Sequence, residues 1–148
     1  MSSVFQAAVI GDPIDHSLSP VIFQWLSQRL QVPVSYRRMR ISSQQWDERG
    51  IAFQSLSQLS GWNVTLPLKK RILSFIDECS PEAKAVGAVN VVHRLPDQRL
   101  KGYNTDVFGV IRTFTERGIS LENQSAVLFG AGGAAYAAAY ALGKMKAK

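Results

Sequence analysis

The segment VFQAAVIGDPIDHSLSP, Val4 to Pro20, sets a strand against a helix across one loop. Val4 to Ile10 is a short, largely apolar run closed by Gly11, Asp12 and Pro13, the pattern of a strand entering a turn. Ser19 followed by Pro20 reads as an N-cap with proline at the first helical position. Ile22, Trp25, Leu26 and Leu30 then recur at helical spacing, so a helix is expected from Ser19. A strand, a loop and a helix in this order open an α/β unit.

The same grammar continues outward. Val34 to Ile41 reads as a second strand, and Ser42 or Ser43 can cap a helix through about Gln58. Trp62 to Leu66 is a third, short strand. Pro67 opens a further helix, with Leu68, Ile72, Phe75 and Ile76 on one face and its end near Cys79. Ser80 and Pro81 repeat the cap signal for a brief helical turn. Ala88 to Leu95 is β-branched and apolar, and Pro96, Asp97 and Gln98 turn it toward Leu100 to Tyr103, a hairpin expected at the edge of a sheet. Thr105 or Asp106 caps the next helix, which carries Val107, Val110, Ile111 and Phe114 on one face and stops at Gly118. Strands alternating with helices up to Val89 imply an α/β fold with a mostly parallel sheet flanked by helices.

Beyond Gly118 the chain changes character. Ala126 to Phe129 reads as a brief apolar strand, and Gly130, Gly132 and Gly133 open an Ala-rich helix. This is an incomplete Rossmann-like unit, and a domain boundary is placed in or around the helix from Asp106 to Gly118.

Composition narrows the classes of function. The chain has 148 residues, 46% hydrophobic and 19% charged, as expected of a soluble globular protein with one good core and little room for two full domains. No apolar run approaches the roughly 18 residues of a membrane span, and Met1 to Gln6 lacks the regions of a signal peptide, so a cytoplasmic location is expected. The net charge of +6 comes from scattered Lys and Arg, with Lys144, Lys146 and Lys148 at the chain end and no nucleic-acid motif. Such a field suits an anionic substrate and a phosphorylated cofactor. Cys79, beside Asp77 and Glu78, has no pairing partner and no adjacent base, and reads as a reduced structural thiol. His16 and His93 are too isolated for a metal site and read as structural histidines. Trp25 and Phe114 read as core; Trp46 and Trp62 are left unassigned.

Three places carry chemistry. Gly130-Ala131-Gly132-Gly133-Ala134-Ala135 matches G-x-G-x-x-G/A between a strand and a helix, where backbone amides at a helix N-terminus can approach a pyrophosphate. The residue that would read the adenosine ribose is expected near position 150, so the chain does not separate NAD from NADP. Ser17 and Ser19 flank Leu18 at a helix mouth, where hydroxyls and free amides can hold a carboxylate, although residue chemistry alone favours Ser19 as a simple cap and Ser17 in water. Lys69 follows Pro67, where a helix N-terminus disfavours a cation and a nearby carboxylate such as Asp106 would favour it. A solvated lysine beside Lys70 and Arg71, and a capping Asp106, are the alternatives.

Taken together, five ordered segments closely resemble the shikimate dehydrogenase family: GDPIDHSLSP at Gly11 to Pro20, NVTLPLK at Asn63 to Lys69, GAVN at Gly87 to Asn90, GYNTD at Gly102 to Asp106, and GAGGA at Gly130 to Ala134. The resemblance implies that Ser17 and Ser19 hold a substrate carboxylate and that Asn63, Thr65, Asn90 and Asp106 bond ring hydroxyls. It makes Lys69 and Asp106 the catalytic pair and Gly130, Ala131, Gly132, Gly133 and Ala134 the cofactor turn. The implied reaction is NADPH-dependent reduction of 3-dehydroshikimate to shikimate, on the way to chorismate and the aromatic amino acids. Buried donors and acceptors suit a polyhydroxy ring, since a wrong ligand leaves them unpaired.

On this reading residues 1–104 form a shikimate-binding α/β domain, 105–118 a linking helix and 119–148 the beginning of a nucleotide-binding domain. The cofactor is NADP, with NAD not separated from it; no nucleic acid or membrane partner is implied, and a homodimer is compatible. The family usually has Thr after GAVN where this chain has Val91, and continues into an Asn-Arg-Thr segment and a late Gln that this sequence does not contain. The 148 residues alone are therefore expected to be inactive, with residues 119–148 as the mobile part. A non-catalytic shikimate-binding remnant and a quinate-preferring dehydrogenase are the alternatives.

Overall fold

In a computed structural model, residues 4–47 and 54–148 are described. A six-stranded sheet forms the centre, built from β1 (Phe5–Gly11), β2 (Val34–Arg40), β3 (Gly61–Val64), β4 (Glu78–Cys79), β5 (Val91–Arg94) and β6 (Leu100–Tyr103). Its order is β2-β1-β3-β5-β6-β4. β1 pairs in parallel with β2 and β3, and β4 pairs in parallel with β6. β5 alone runs against its neighbours. The helices are α1 (Ser19–Leu30), α2 (Ser43–Asp47), α3 (Pro81–Val86), α4 (Asp106–Thr115) and α5 (Gly133–Lys144).

Burial explains the strand sequences. β1 lies between two parallel neighbours, and Ala8, Val9 and Ile10 are all buried, as a strand covered on both faces requires. β2, at an edge, alternates between partly buried and exposed side chains instead. The main core gathers Ile10, Leu56, Leu59, Trp62, Val64, Leu68, Ile72 and Val92 with Trp46, whose ring meets Phe75 edge-on at 5.2 Å. The two tryptophans left unassigned by sequence are thus core residues. A second cluster joins α3, α4 and α5 through Val86, Ala88, Val107, Ala137 and Ala141. The Ala-rich character of α5 has its reason here: small side chains let it lie close to Ala88 and Val107.

Several expectations need correction. The helix expected from Pro67 to Cys79 is a run of turns followed by a 3-10 segment, Arg71–Phe75, and then β4. Leu68 and Ile72 are buried as the pattern suggested. The chain is captured by the sheet at Asp77, whose N–H donates to the Leu100 carbonyl at 3.0 Å and whose carboxylate accepts from the Leu100 N–H at 2.7 Å. Glu78 and Cys79 then pair with Lys101 and Gly102. Tertiary pairing has overruled a local helical pattern. Because β4 takes the edge, the β5–β6 hairpin lies inside the sheet, and the strand expected from Ala88 begins at Val91.

The helix expected from Ser42 or Ser43 to Gln58 is described as α2 and a short helical piece at 54–56; residues 48–53 lie outside the described residues. Ser42 is its cap: its Oγ accepts from the Gln45 N–H, and the Gln45 side chain accepts from the Ser42 N–H, a reciprocal capping box. α1 has no buried residue, and Trp25 is 59% exposed, so Trp25 is not core. Phe114 is half-buried, not core, and Gly118 closes α4 with φ of 66° as expected. Residues 126–129 pair with no strand among the described residues; Val127 and Phe129 are exposed. An isolated extended segment has no ladder to join, and here Ala126 reaches only the Lys148 carbonyl.

Candidate active site

The carboxyl ends of β1, β3 and β6 and the amino end of β5 lie on one side of the sheet, and a cleft of about 260 Å³ opens there. Ser17, Ser19, Asn63, Thr65, Lys69, Asn90 and Asp106 all line it. Val9, Ile14, His16, Phe23 and Val64 complete the wall. Val91 does not line it.

One end of the cleft is the loop after β1. Leu18, in helical conformation, holds the N-cap position of α1 and Ser19 is the first helical residue, so Ser19 does not cap the helix. Ser17 takes part of that duty: its Oγ accepts from the Ser19 N–H at 3.3 Å and donates to the Ser19 Oγ at 3.2 Å. The loop is held from β2, where Arg38 donates through Nε and Nη2 to the Ser17 carbonyl at 2.9 and 2.5 Å. The result is two adjacent hydroxyls at a helix mouth, an arrangement that can receive a carboxylate.

The other end is built around Asp106. Lys69 Nζ donates to Asp106 Oδ2 at 2.6 Å, with the lysine side chain only 15% exposed. Asn90 Nδ2 donates to Asp106 Oδ1 at 2.7 Å and to Thr105 Oγ1 at 3.0 Å, while Asn90 Oδ1 accepts from the Thr105 N–H at 2.9 Å. Asn90 is buried, and its amide is used to anchor the start of α4. Thr105 holds the N-cap position of α4, but neither it nor Asp106 caps the helix in the expected sense, because both side chains face Asn90. The Lys69 backbone is fixed as well, its carbonyl accepting from the Val89 N–H at 2.8 Å. No α-helix begins at Pro67, so the helix-terminus argument for Lys69 falls away; what surrounds its ammonium is the cleft and one carboxylate.

Between the two ends stand Asn63, which accepts from the Tyr36 hydroxyl at 2.6 Å, and Thr65, whose N–H donates to the Ile10 carbonyl at 2.9 Å. Burial pushes the Tyr36 phenol up to about 12, with Ser19 acting against it. Tyr36 and Arg38 were not singled out by sequence. Their signal was the alternation of β2, which places both on one face, but nothing local says that this face meets the cleft.

The glycine turn lies beside Lys69. A Cβ on Gly133 would stand 3.3 Å from Lys69 Cδ and 3.4 Å from Lys69 Cβ, so the first residue of α5 rests on the lysine stem. Gly132 stands at the N-cap in extended conformation, without a side-chain cap and with open space at its Cβ position. Lys70 Nζ lies 3.8 Å from the Tyr136 ring centroid. Among the described residues no group of His, Cys, Asp and Glu could hold a metal ion; His16 and His93 are both exposed, not buried structural histidines. Burial raises the Cys79 thiol, with Lys84 acting against it. Among the described residues no helix is long and apolar enough to cross a membrane.

Comparison with known proteins places this geometry. Residues 9–92 match the family of the shikimate dehydrogenase substrate binding domain. A shikimate dehydrogenase (NADP(+)) of Nitrosopumilus maritimus is 43% identical over 143 residues, covering 95% of this chain and 51% of that protein. Among solved structures, the Thermus thermophilus shikimate 5-dehydrogenase in complex with NADP(H) and shikimate is 36% identical, with a TM-score of 0.85 over 97% of this chain and 53% of its own. The Listeria monocytogenes enzyme, in complex with shikimate and NAD, is 32% identical, with a TM-score of 0.84 over 98% of this chain and 50% of its own. The chain spans about half the length of the curated relatives it matches.

Proposed function

The chain belongs to the family of shikimate dehydrogenase substrate-binding domains, and from that membership we propose that its cleft binds shikimate and 3-dehydroshikimate for NADP-dependent interconversion. The observation that carries this reading is the Lys69–Asp106 pair, a hydrogen-bearing cation fixed inside a cleft whose far end offers the two hydroxyls of Ser17 and Ser19.

In this reading Ser17 and Ser19 hold the ring carboxylate. Asn63 and Thr65 bond ring hydroxyls, and Asn90 serves mainly by holding Asp106. Lys69 places a proton at the C3 carbonyl oxygen of 3-dehydroshikimate and stabilises the charge that develops there, while Asp106 orients the ammonium. In the oxidising direction Lys69 takes that proton back.

The backbone of the glycine turn suits a dinucleotide. Gly130 has φ of 124°, Gly132 leaves its Cβ position open, and α5 begins without a side-chain cap, so amides are left for a pyrophosphate. Gly130, Ala131, Gly132, Gly133 and Ala134 would hold it. When bound, the nicotinamide supplies or accepts the hydride at C3. The relatives' names favour NADP; the Listeria structure keeps NAD as the alternative. We place the substrate domain at residues 1–104, the linking helix at 105–118 and the nucleotide-binding part at 119–148.

Titration of the isotope-labelled chain with shikimate tests the binding half of this reading. Amide shifts confined to Ser17–Ser19, Asn63–Thr65, Lys69 and Asn90–Asp106 are expected, and shifts elsewhere only would refute it. Turnover is measured in a chain extended to the length of its relatives, with NADPH and 3-dehydroshikimate, and with quinate against shikimate in the reverse direction.

A further inference from the structure

Tyr36 reaches the cleft without lining it. It stacks on Phe23 with ring centroids 4.1 Å apart and an interplanar angle of 11°, and its hydroxyl donates to Asn63 Oδ1 at 2.6 Å. Packing alone would be served by phenylalanine. The hydroxyl adds something packing does not: an amide side chain has one acceptor end and one donor end, and pinning the oxygen decides which end faces elsewhere. Asn63 belongs to the cleft wall, between the serine end and the lysine end.

We propose that Tyr36 is a positioning residue for substrate specificity, fixing the Asn63 amide so that its Nδ2 donor serves a ring hydroxyl. The cleft thereby distinguishes a hydroxylated ring acid from a bare one. The inference rests on the proposed function and deepens it. β2 supplies both supports of the cleft from one face: Tyr36 sets Asn63, and two residues on, Arg38 clamps the Ser17 carbonyl. Ser17 donates in turn to the Ser19 hydroxyl at the acid end of the cleft.

The test is an NMR titration of the full 148-residue chain with two ligands, shikimate and cyclohex-1-ene-1-carboxylate, which keeps the ring and the carboxylate but has no hydroxyls. Tyr36→Phe is expected to weaken shikimate about tenfold, the worth of one well-placed hydrogen bond, and to leave the bare acid unchanged. Asn63→Ala is expected to do the same, and the double variant to match Asn63→Ala alone, because Tyr36 acts through Asn63. The Asn63 side-chain amide resonances are also expected to shift in Tyr36→Phe without ligand, a readout that needs no binding. Equal weakening of both ligands, an unaltered shikimate affinity, or additive single effects would overturn the inference while leaving the proposed function standing. A wild-type chain that binds neither acid would overturn both.

Discussion

Lys69 and Asp106, 37 residues apart in sequence, meet at 2.6 Å between Nζ and Oδ2, and the other oxygen of the same carboxylate accepts from Asn90 at 2.7 Å. Three segments that sequence reading could only set in order thus share one carboxylate. A carboxylate held at both oxygens has little freedom to rotate, so the direction of the lysine ammonium is set as well.

Lys69→Ala, made in a chain extended to the length of its relatives, should lower turnover on the order of 100- to 10,000-fold while changing shikimate affinity far less. A proton donor acts chiefly in the transition state. Steady-state kinetics beside a direct binding titration separates the two effects, and an unchanged turnover number would remove Lys69 from the role.

Asn90→Ala should cost about 1–3 kcal/mol of folding stability, because Asn90 is buried and its loss strands the Thr105 N–H and one oxygen of Asp106. Urea unfolding of the 148-residue chain measures it. If Asn90 bonded substrate only, affinity would fall with stability intact.

What was legible in the sequence follows from the range of each interaction. β1, its loop and α1 are announced by neighbours in the chain, and the structure keeps them. Ser42, one of the two serines expected to cap, is announced in the same local way, while its reciprocal partner Gln45 is seen only in the structure. The failures are long-range. Residues 67–79 have a helical apolar pattern, yet Asp77 bonds Leu100 and Glu78 joins the sheet, a competition that no window of neighbours contains. Trp25 recurs at helical spacing and is exposed, since periodicity identifies a face and not what covers it. At the cleft, motif resemblance supplied Ser17, Asn63, Lys69 and Asp106 together. Tyr36 and Arg38 escaped because their partners lie 27 and 21 residues away.

The two glycines in the middle of the turn should respond differently. Gly133→Val places methyls against the Lys69 stem, whose ammonium is held by Asp106, and should destabilise the chain by about 1–3 kcal/mol through overpacking. Gly132→Ala points into open space at φ of −84°, and stability should stay within about 1 kcal/mol of wild type. Thermal or urea unfolding compares them. Equal losses at both positions would mean that the turn, not the contact with Lys69, sets the cost.

Alkaline stability should report Tyr36. Its phenol is raised from the ordinary value near 10 to about 12 in the folded chain, chiefly because burial disfavours the phenolate. The sign follows from linkage: the folded state keeps the proton more tightly than the unfolded state, so the contribution is present in full below pH 10. It declines as pH rises through 12, as the unfolded chain gives up a proton that the folded chain still holds. Phenylalanine has no proton to lose. The stability difference between wild type and Tyr36→Phe should therefore be constant up to about pH 9.5 and then move in favour of the variant by pH 11.5. Lysines and the remaining tyrosines titrate in both proteins and cancel in the comparison. Urea midpoints at those two pH values suffice to measure it. Parallel declines would mean that the Tyr36 hydroxyl is solvated in the folded chain, and the hydrogen bond to Asn63 would lose its buried setting.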